Sequence, residues 1–177
     1  MVKKIGRFFI YVTFFILAIV YFSPKVGLYY FAEKGLKTFD VVISSETLND
    51  RGFSLDIDNA VVLVKSIESA KIDKVVFNFL IFYNSITLDG IKLSSTVKSF
   101  LPLNIKNITV RYSILNPLNA VVYAQGDFGK LDGSVDILDR KVHLVLSPSK
   151  KMEKNYKNSL KNFKVSKNGE LTYDKIF

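Results

Sequence analysis

The chain has 177 residues and no cysteine, and its 25 Lys and Arg against 16 Asp and Glu give a formal net charge of +9. This length predicts one domain beyond any membrane segment. The lack of cysteine excludes disulfides, thiolate metal sites and cysteine nucleophiles, so the domain must be stabilised by its own core. Arg is scarce, the Lys residues are scattered and no recognition motif accompanies them, so we predict no nucleic-acid partner.

An uncharged apolar segment, residues 8–22, follows a short basic tail, residues 1–7. A spanning helix usually needs roughly 17–25 apolar residues, and this segment is shorter. Ile5 and Gly6 can extend it while Arg7 keeps its charge among the headgroups. We therefore predict a transmembrane anchor over 8–22. Its anchor residues are apolar or aromatic: Phe8, Phe15, Leu17, Val20, Tyr21 and Phe22.

Two other interpretations of this segment stay open. A cleaved signal peptide has the same basic and apolar parts, but residues 20–23 are too bulky for a cleavage site. A buried helix of a soluble protein is not expected to be apolar on every side in so small a chain. Lys and Arg are nearly balanced across the segment, so we predict a cytoplasmic N-terminus from the short, signal-like tail. The bulk of the chain would then lie outside the cytoplasm.

Residues 23–35 predict a juxtamembrane helix that lies at the membrane surface or covers one end of the following domain. Ser23 is expected to be the N-cap, with Pro24 at the first helical position. Gly35 is a plausible C-cap.

Residues 36–149 alternate apolar and polar residues in short segments, as half-buried strands do. The predicted strands are 41–48, 53–58 with a continuation over 60–64, 71–83, 85–93, 105–112, 121–125, 130–137 and 141–146. Gly90 suggests a bulge, and 94–103 is a break. The even spacing predicts a curved antiparallel meander, an open groove or half-barrel, with short flanking helices. The fold class is thus mainly β with an N-terminal transmembrane helix.

The C-terminal part, residues 150–177, predicts a Lys-rich helix over 150–163 followed by a small hairpin. The helix would carry one apolar stripe: Met152, Tyr156, Leu160 and Phe163. The hairpin is indicated by Asn168 and Gly169, which are typical of a type I′ turn.

The amount of Phe, Ile and Val on the predicted strands has two interpretations. It can be ordinary core, or it can line an apolar groove open to an acyl chain or a partner strand, and periodicity does not separate the two. Both faces of the second half of the strand 71–83 are apolar, so we expect both to be covered by other parts of the protein or by a ligand. The candidate groove residues are Phe77, Phe79, Ile81, Tyr83, Ile86 and Leu88.

No set of residues for acid–base or nucleophilic chemistry converges in the sequence. His143 is the single histidine and has no cysteine partner for a zinc site. The glycine-rich segment 126–133 departs from phosphate-binding patterns and is expected to form turns. Asp56 and Asp58 lack the glycine-containing loop of a calcium site and are expected to lie on a solvated strand face. We predict no catalytic residue, no metal, no cofactor and no enzyme activity.

The anchor, the helix opening at Ser23 and Pro24, and the segments 48–55, 124–137 and 144–149 resemble the general secretion pathway protein N group. The resemblance spans most of the chain through strand-and-turn patterns. It implies a single-pass inner-membrane protein of Gram-negative bacteria with a periplasmic β domain. It also implies a fold akin to the groove-forming sheets of AsmA-like lipid-handling proteins, and it carries over no catalytic residues.

Two functions follow as hypotheses. The first is a non-enzymatic, membrane-anchored domain that contacts envelope or secretion-system proteins as an accessory to type II secretion or another envelope assembly. The second is a lipid-binding or lipid-transfer module that takes membrane lipid into an apolar groove.

Overall fold

The computed structural model describes residues 2–97, 102, 104–166 and 170–176. Its first helix, α1, runs Val2–Phe22 and extends further toward the N-terminus than the apolar segment that predicted it. The part Lys4–Phe22 has a mean hydropathy of 2.1, is not buried against the rest of the chain, and is long and apolar enough to cross a membrane. A second helix, α2, runs Lys25–Lys37, and a short α3 runs Lys150–Asn155.

One antiparallel sheet of eleven strands forms most of the rest of the described fold, and a single 3₁₀ turn at Ser95–Val97 follows β5 in the predicted break. The strands are β1 Val41–Ser44, β2 Thr47–Asp50, β3 Ser54–Val64, β4 Ile67–Phe79, β5 Tyr83–Leu93, β6 Asn104–Ser113, β7 Asn116–Gly126, β8 Gly129–Asp136, β9 Lys141–Pro148, β10 Lys164–Val165 and β11 Leu171–Ile176. The order across the sheet is β1-β3-β4-β5-β6-β7-β8-β9-β11-β10, and β2 also pairs with β3. The sheet is open, so the predicted mainly β, antiparallel, unclosed architecture is confirmed.

The strand registers place apolar side chains in rows that cross the sheet on one face. One row lies at equivalent positions on eight neighbouring strands: Leu55, Phe77, Ile86, Val110, Val122, Gly133, Leu144 and Tyr173. A parallel row through Ile57, Val75 and Leu88 lies on the same side. We call this side the apolar face. The opposite side, the polar face, carries charged and hydroxyl side chains such as Asp56 and Lys74.

Four adjacent strands each interrupt the alternation once. Four residues at neighbouring positions on these strands are skipped by the regular strand pairing, which continues on either side of them. They form an irregular row: Asn59, Asp73, Gly90 and Lys106. Asn59 and Gly90 have positive φ angles of 59° and 67°. Because of this local irregularity, apolar residues three positions apart, such as Ile57 and Ala60, pack into the same core. The bulge predicted at Gly90 is one member of this row.

Two clusters of buried side chains hold helical segments against the apolar face. The first lies under α2 and contains Tyr29, Leu55, Ile57, Ala60, Ile72, Val75 and Ile91. The second contains Phe128, Leu146 and Met152, with Tyr156, Leu160 and Phe163 packed against it. The apolar stripe predicted for 150–163 therefore packs as expected. The predicted helix was too long, because α3 ends at Asn155 and turns follow it.

The helix predicted at 23–35 is shifted. It begins at Lys25 after Pro24, which caps it without a side-chain hydrogen bond, and it continues through Gly35 to Lys37. The Ser23 hydroxyl does not cap α2, because it donates instead to the carbonyl of Val20 at 2.8 Å.

Strand boundaries differ from the predictions in several places: β4 and β7 begin four and five residues earlier than predicted, and three further differences change the pairing or the ends of strands. The strand predicted at 41–48 is split into β1 and β2 by Ser45, whose φ is 64°. β4 ends at Phe79, so the alternation expected up to residue 83 stops there. β11 pairs with β9 and thus extends the main sheet beyond residue 149. The predicted turn at Asn168 and Gly169 lies outside the described residues, although the strands on either side of it do pair.

Candidate functional site

The junction between α1 and α2 is built around a buried lysine. Lys25 has no exposed side-chain surface, and its Nζ donates to the carbonyls of Tyr21 at 3.0 Å and Ser23 at 3.2 Å. The same Nζ lies 3.5 Å from Oδ1 of Asp50 at the end of β2. A cation is favourable at the C-terminal end of a helix, where carbonyls lack partners. Lys25 therefore ties the end of α1 to the sheet.

An aromatic contact beside this lysine fixes which end of the sheet faces α1. The ring of Tyr21 lies 5.4 Å from the ring of Phe53, in the turn between β2 and β3. Gly52 in this turn has a φ of 83°, and a Cβ there would collide with the Tyr21 ring. Since the strands alternate in direction, the β4–β5, β6–β7 and β8–β9 turns lie at the same end. We call it the α1 end.

Two shallow cavities meet at a pair of stacked rings on the apolar face. The rings of Phe77 and Phe79 lie 6.3 Å apart and nearly parallel. On one side, they line a cavity of about 180 Å³ beneath α2, together with Leu28 and Tyr29. On the other side, they line a second cavity of about 190 Å³ that continues toward Val110.

A third cavity lies under the C-terminal segment. It has a volume of about 220 Å³ and is lined almost entirely by apolar side chains, including Ile108, Ala124, Leu131 and Phe163. Between the second and third cavities, the half-buried Val122 and Leu144 belong to neither of the two core clusters. The apolar face is thus covered at both sides and uncovered in between.

The six predicted groove residues do not all lie on this face. Those on the apolar face are Phe77, Phe79, Ile86 and Leu88, which all pack against the first core. Ile81 lies in the β4–β5 turn. Tyr83 begins β5 at a position that alternates with Ile86 and so faces the polar side. The alternation that grouped these residues fails because β4 ends before Ile81.

The anchor residues predicted from the sequence all lie on α1. Phe8, Phe15, Leu17, Tyr21 and Phe22 are exposed, and Phe22 is 80% exposed. Val20 is half-buried next to the junction. An exposed aromatic and aliphatic surface of this size is unusual for a helix in water and indicates contact with a membrane or another protein.

A tyrosine on the buried side of α2 closes one edge of the apolar face. The hydroxyl of Tyr29 donates to the carboxylate of Glu46 at 3.1 Å, at the break between β1 and β2. Burial and the neighbouring Glu46 charge raise the pKa of Tyr29 above its usual range, so the phenol stays protonated as a donor. Tyr29 and Glu46 are 17 residues apart, so their pairing has no short-range signal in the sequence.

The polar face carries a buried carboxylate, which corrects the expectation of a solvated strand face at Asp56. Its carboxylate is 6% exposed and accepts from Nε of Arg51 at 2.8 Å and Nζ of Lys74 at 3.1 Å. Burial raises the pKa of Asp56, but the hydrogen bonds from Lys74 and Arg51 outweigh it and leave the pKa below its ordinary value. Asp56 is therefore ion-paired, whereas Asp58 accepts from Asn49 at an exposed position.

His143 and the glycine-rich segment both have structural partners. Nδ1 of His143 lies 2.7 Å from Oδ1 of Asp174 on the neighbouring strand, and this hydrogen bond lowers the pKa of Asp174. The segment 126–133 forms the β7–β8 turn and most of β8, as expected for turns. Lys151 reaches Asp127 in that turn at 2.7 Å, and the hydrogen bond raises the pKa of Lys151. Among the described residues, no three His, Cys, Asp or Glu side chains group as metal ligands would.

Comparison with known proteins adds nothing to this geometry: no family model, no curated protein and no solved structure matches the chain. The resemblance to the general secretion pathway protein N group, and the role in type II secretion that it implies, therefore stay predictions. The apolar face and α1 are the features of the molecule that bear on its function.

Proposed function

We propose that this protein is a membrane-anchored domain that binds an acyl chain of a membrane lipid along the uncovered part of its apolar face. The observation that carries the proposal is the continuous apolar row from Leu55 to Tyr173, whose middle part is left open by both α2 and the C-terminal segment. Val110, Val122 and Leu144 in this middle part are half-buried, so they keep apolar surface that an acyl chain can cover.

The dimensions suit one extended chain. The open part runs from Val110 on β6 to Leu144 on β9, which is three strand-to-strand steps or roughly 14 Å. One leaflet of a bilayer has a hydrocarbon depth of roughly 15 Å. The two cavities along the row, at about 180 and 190 Å³, and the third cavity beside it, at about 220 Å³, are each smaller than the roughly 300–1,000 Å³ typical of pockets for compact ligands. A thin apolar chain that lies across several depressions fits this geometry better than a globular ligand.

The proposal includes a topology. α1 spans the bacterial inner membrane once, with the N-terminus in the cytoplasm and the β domain in the periplasm. The length and apolarity of α1 support the span, and the short basic tail before it supports the orientation. Since the chain lacks cysteine, a Ser66→Cys variant in the β3–β4 turn can be labelled with a membrane-impermeant maleimide. Labelling in cells with a permeabilised outer membrane but an intact inner membrane supports this orientation, and labelling only after lysis contradicts it.

A photo-crosslinking experiment tests acyl-chain binding. The full-length protein is reconstituted into vesicles with a phospholipid that carries a diazirine in its acyl chain, and crosslinked peptides are mapped by mass spectrometry. We expect crosslinks on the apolar face of β6 to β9 in addition to those on α1. Crosslinks confined to α1 would refute the acyl-chain site and leave the anchor unaffected.

Two neighbouring valines provide a matched pair of variants. Val122 lies on the apolar face and Val121 on the polar face of the same strand, and both are half-buried. Val122→Asp should abolish the crosslinks on β6 to β9, because a carboxylate in an apolar row is costly, whereas Val121→Asp should retain them. Circular dichroism of both variants checks folding. If Val122→Asp unfolds, Gly133→Leu, which fills the same row, replaces it.

A further inference from the structure

The turns at the α1 end of the sheet carry large, exposed apolar side chains. The β4–β5 turn exposes 60% of Phe82, the β6–β7 turn 84% of Leu115 and the β8–β9 turn 71% of Leu138. The other exposed apolar residues in or next to these turns and the β2–β3 turn are Phe53, Leu80, Ile114, Leu118 and Ile137. Turns in water usually carry polar residues, so a shared apolar character at one end requires an explanation.

The opposite end differs in its turns. The β3–β4 turn there consists of Lys65 and Ser66, and Phe128 of the β7–β8 turn is buried in the second core. Exposed apolar residues do occur at that end, for example Ile67, which is 55% exposed. One more of them, Phe39, is 76% exposed in the turn before β1. The described hairpin turns at that end, β3–β4 and β7–β8, have no exposed apolar residue, whereas each of the four turns at the α1 end has at least one, which we call its apolar tip.

Contact with α1 relates these tips to the depth of the anchor. α1 ends at Phe22, and Tyr21 in its last turn packs on Phe53 of the nearest turn. Successive turns at this end are two strands apart, which is about 10 Å. Counted across the strands, the tips therefore span roughly 30 Å, beginning where the apolar helix stops. Tyrosine and phenylalanine at that position are typical of the membrane–water interface.

Charge at this end does not indicate an acidic or a basic partner. Arg140 and Lys175 lie at the α1 end together with Asp139 and Asp174, so the two signs are interspersed. A surface with apolar tips and mixed charges fits the boundary between headgroups and acyl chains, and it does not require anionic lipid.

We propose that the β2–β3, β4–β5, β6–β7 and β8–β9 turns insert their apolar tips into the membrane that α1 spans. The inference rests on the membrane anchor of the proposed function and deepens it. The apolar row would then open directly onto the leaflet, so an acyl chain reaches Val122 without crossing water.

Tryptophan fluorescence tests this insertion, since the natural chain has no tryptophan. Full-length Leu115→Trp and Phe82→Trp are reconstituted into phosphatidylcholine vesicles whose acyl chains are brominated. Ile67→Trp, an exposed apolar position at the opposite end, is the matched control. We expect a blue shift and roughly a twofold loss of emission for the two tip variants, as befits side chains within about 5–10 Å of the acyl boundary, and neither for the control.

The outcomes separate this inference from the function on which it rests. Tip emission that equals the Ile67→Trp control, in vesicles that retain the protein through an alkaline carbonate wash, overturns tip insertion alone. Release of the protein by that wash overturns the anchor and the inference together. A third outcome is that a soluble quencher fails to reach the tips in cell membranes but reaches them in pure lipid vesicles. This result overturns tip insertion into lipid and favours a protein partner. Anionic vesicles should give the same quenching as phosphatidylcholine.

Discussion

Replacing Lys25 with Met tests whether the buried lysine stabilises the junction between α1 and the sheet. Met keeps an unbranched apolar chain in the same space, so the change removes the charge and the donors with little loss of packing. The carbonyl of Tyr21 would lose a donor at 3.0 Å, and the carbonyl of Ser23 would lose one at 3.2 Å but keep the backbone N–H of residue 25 at 2.9 Å. Asp50 is less affected, because it is 36% exposed and still accepts the Gly52 N–H at 2.8 Å.

The magnitude follows from these contacts. A hydrogen bond from a charged group contributes roughly 1.5–3 kcal/mol, and a buried acceptor left without a partner costs about 1–3 kcal/mol. Burying the ammonium group of Lys25 costs desolvation free energy, and Met avoids this cost, so part of the loss in stability is offset. We therefore expect Lys25→Met to lower the free energy of unfolding by about 2–4 kcal/mol. With a urea dependence of about 2 kcal/mol per molar, the unfolding midpoint would fall by about 1–2 M.

Urea unfolding of the full-length protein in mild detergent, followed by far-ultraviolet circular dichroism of the sheet, measures this change. Lys34→Met on the exposed side of α2 is the control and should shift the midpoint by less than about 0.3 M, as surface substitutions do. A Lys25→Met midpoint equal to that of Lys34→Met would refute the argument that Lys25 bonds hold the end of α1 to the sheet.

Three further predictions concern single positions in the sheet. Gly90→Ala should destabilise the domain by roughly 1–2 kcal/mol, because φ is 67° and because the new Cβ would collide with the Asp73 side chain. Asp73→Ala removes the carboxylate but keeps the Cβ of residue 73 and the positive φ at residue 90, so it should not restore full stability; thermal unfolding of the single and double variants decides. Lys65 and Ser66 have φ angles of 50° and 64°, which Asn and Gly adopt more readily. Replacing the two by Asn and Gly should raise the free energy of unfolding by about 1 kcal/mol. An unchanged melting temperature would contradict this turn geometry. Asp56→Asn should cost about 1–3 kcal/mol at pH 7. Because the pKa of Asp56 is lowered in the folded state, its contribution to stability is present above about pH 3.9 and is lost as the pH falls through the folded-state pKa. The free energies of unfolding of wild type and Asp56→Asn should therefore converge in acid. A difference that stays constant with pH would refute the ion pair.

Much of the fold follows from short-range pattern. The uncharged segment 8–22 predicted a long apolar helix, and alternation predicted most strands, because a strand with one covered face has a period of two in its apolar residues. The β3–β4 turn was missed, since Lys65 and Ser66 lack the Asn or Gly that usually indicates a turn with positive φ. The length of α3 was overestimated because Tyr156, Leu160 and Phe163 have helical spacing yet pack through turns.

The candidate site was only partly accessible from the sequence. Phe77, Phe79, Ile86 and Leu88 were placed together because they lie within regular strands. The open row from Val110 to Leu144 depends on which strands are covered by α2 and the C-terminal segment, and long-range packing of this kind has no local signal. The apolar turns at the α1 end were visible as residues such as Leu115 and Leu138, but their common location required the strand order.

The irregular row has a consequence for folding. In each of the strands β3 to β6, two residues that are polar or glycine separate apolar ones, as in Ile57 to Ala60 and Leu88 to Ile91. A neighbour displaced by two positions would keep its apolar face inward, so in an ordinary sheet little would penalise the slip. Here the same displacement would set a left-handed Asn59 or Gly90 against regular backbone. The irregular row thus specifies the register in which each new strand pairs with its neighbour during folding.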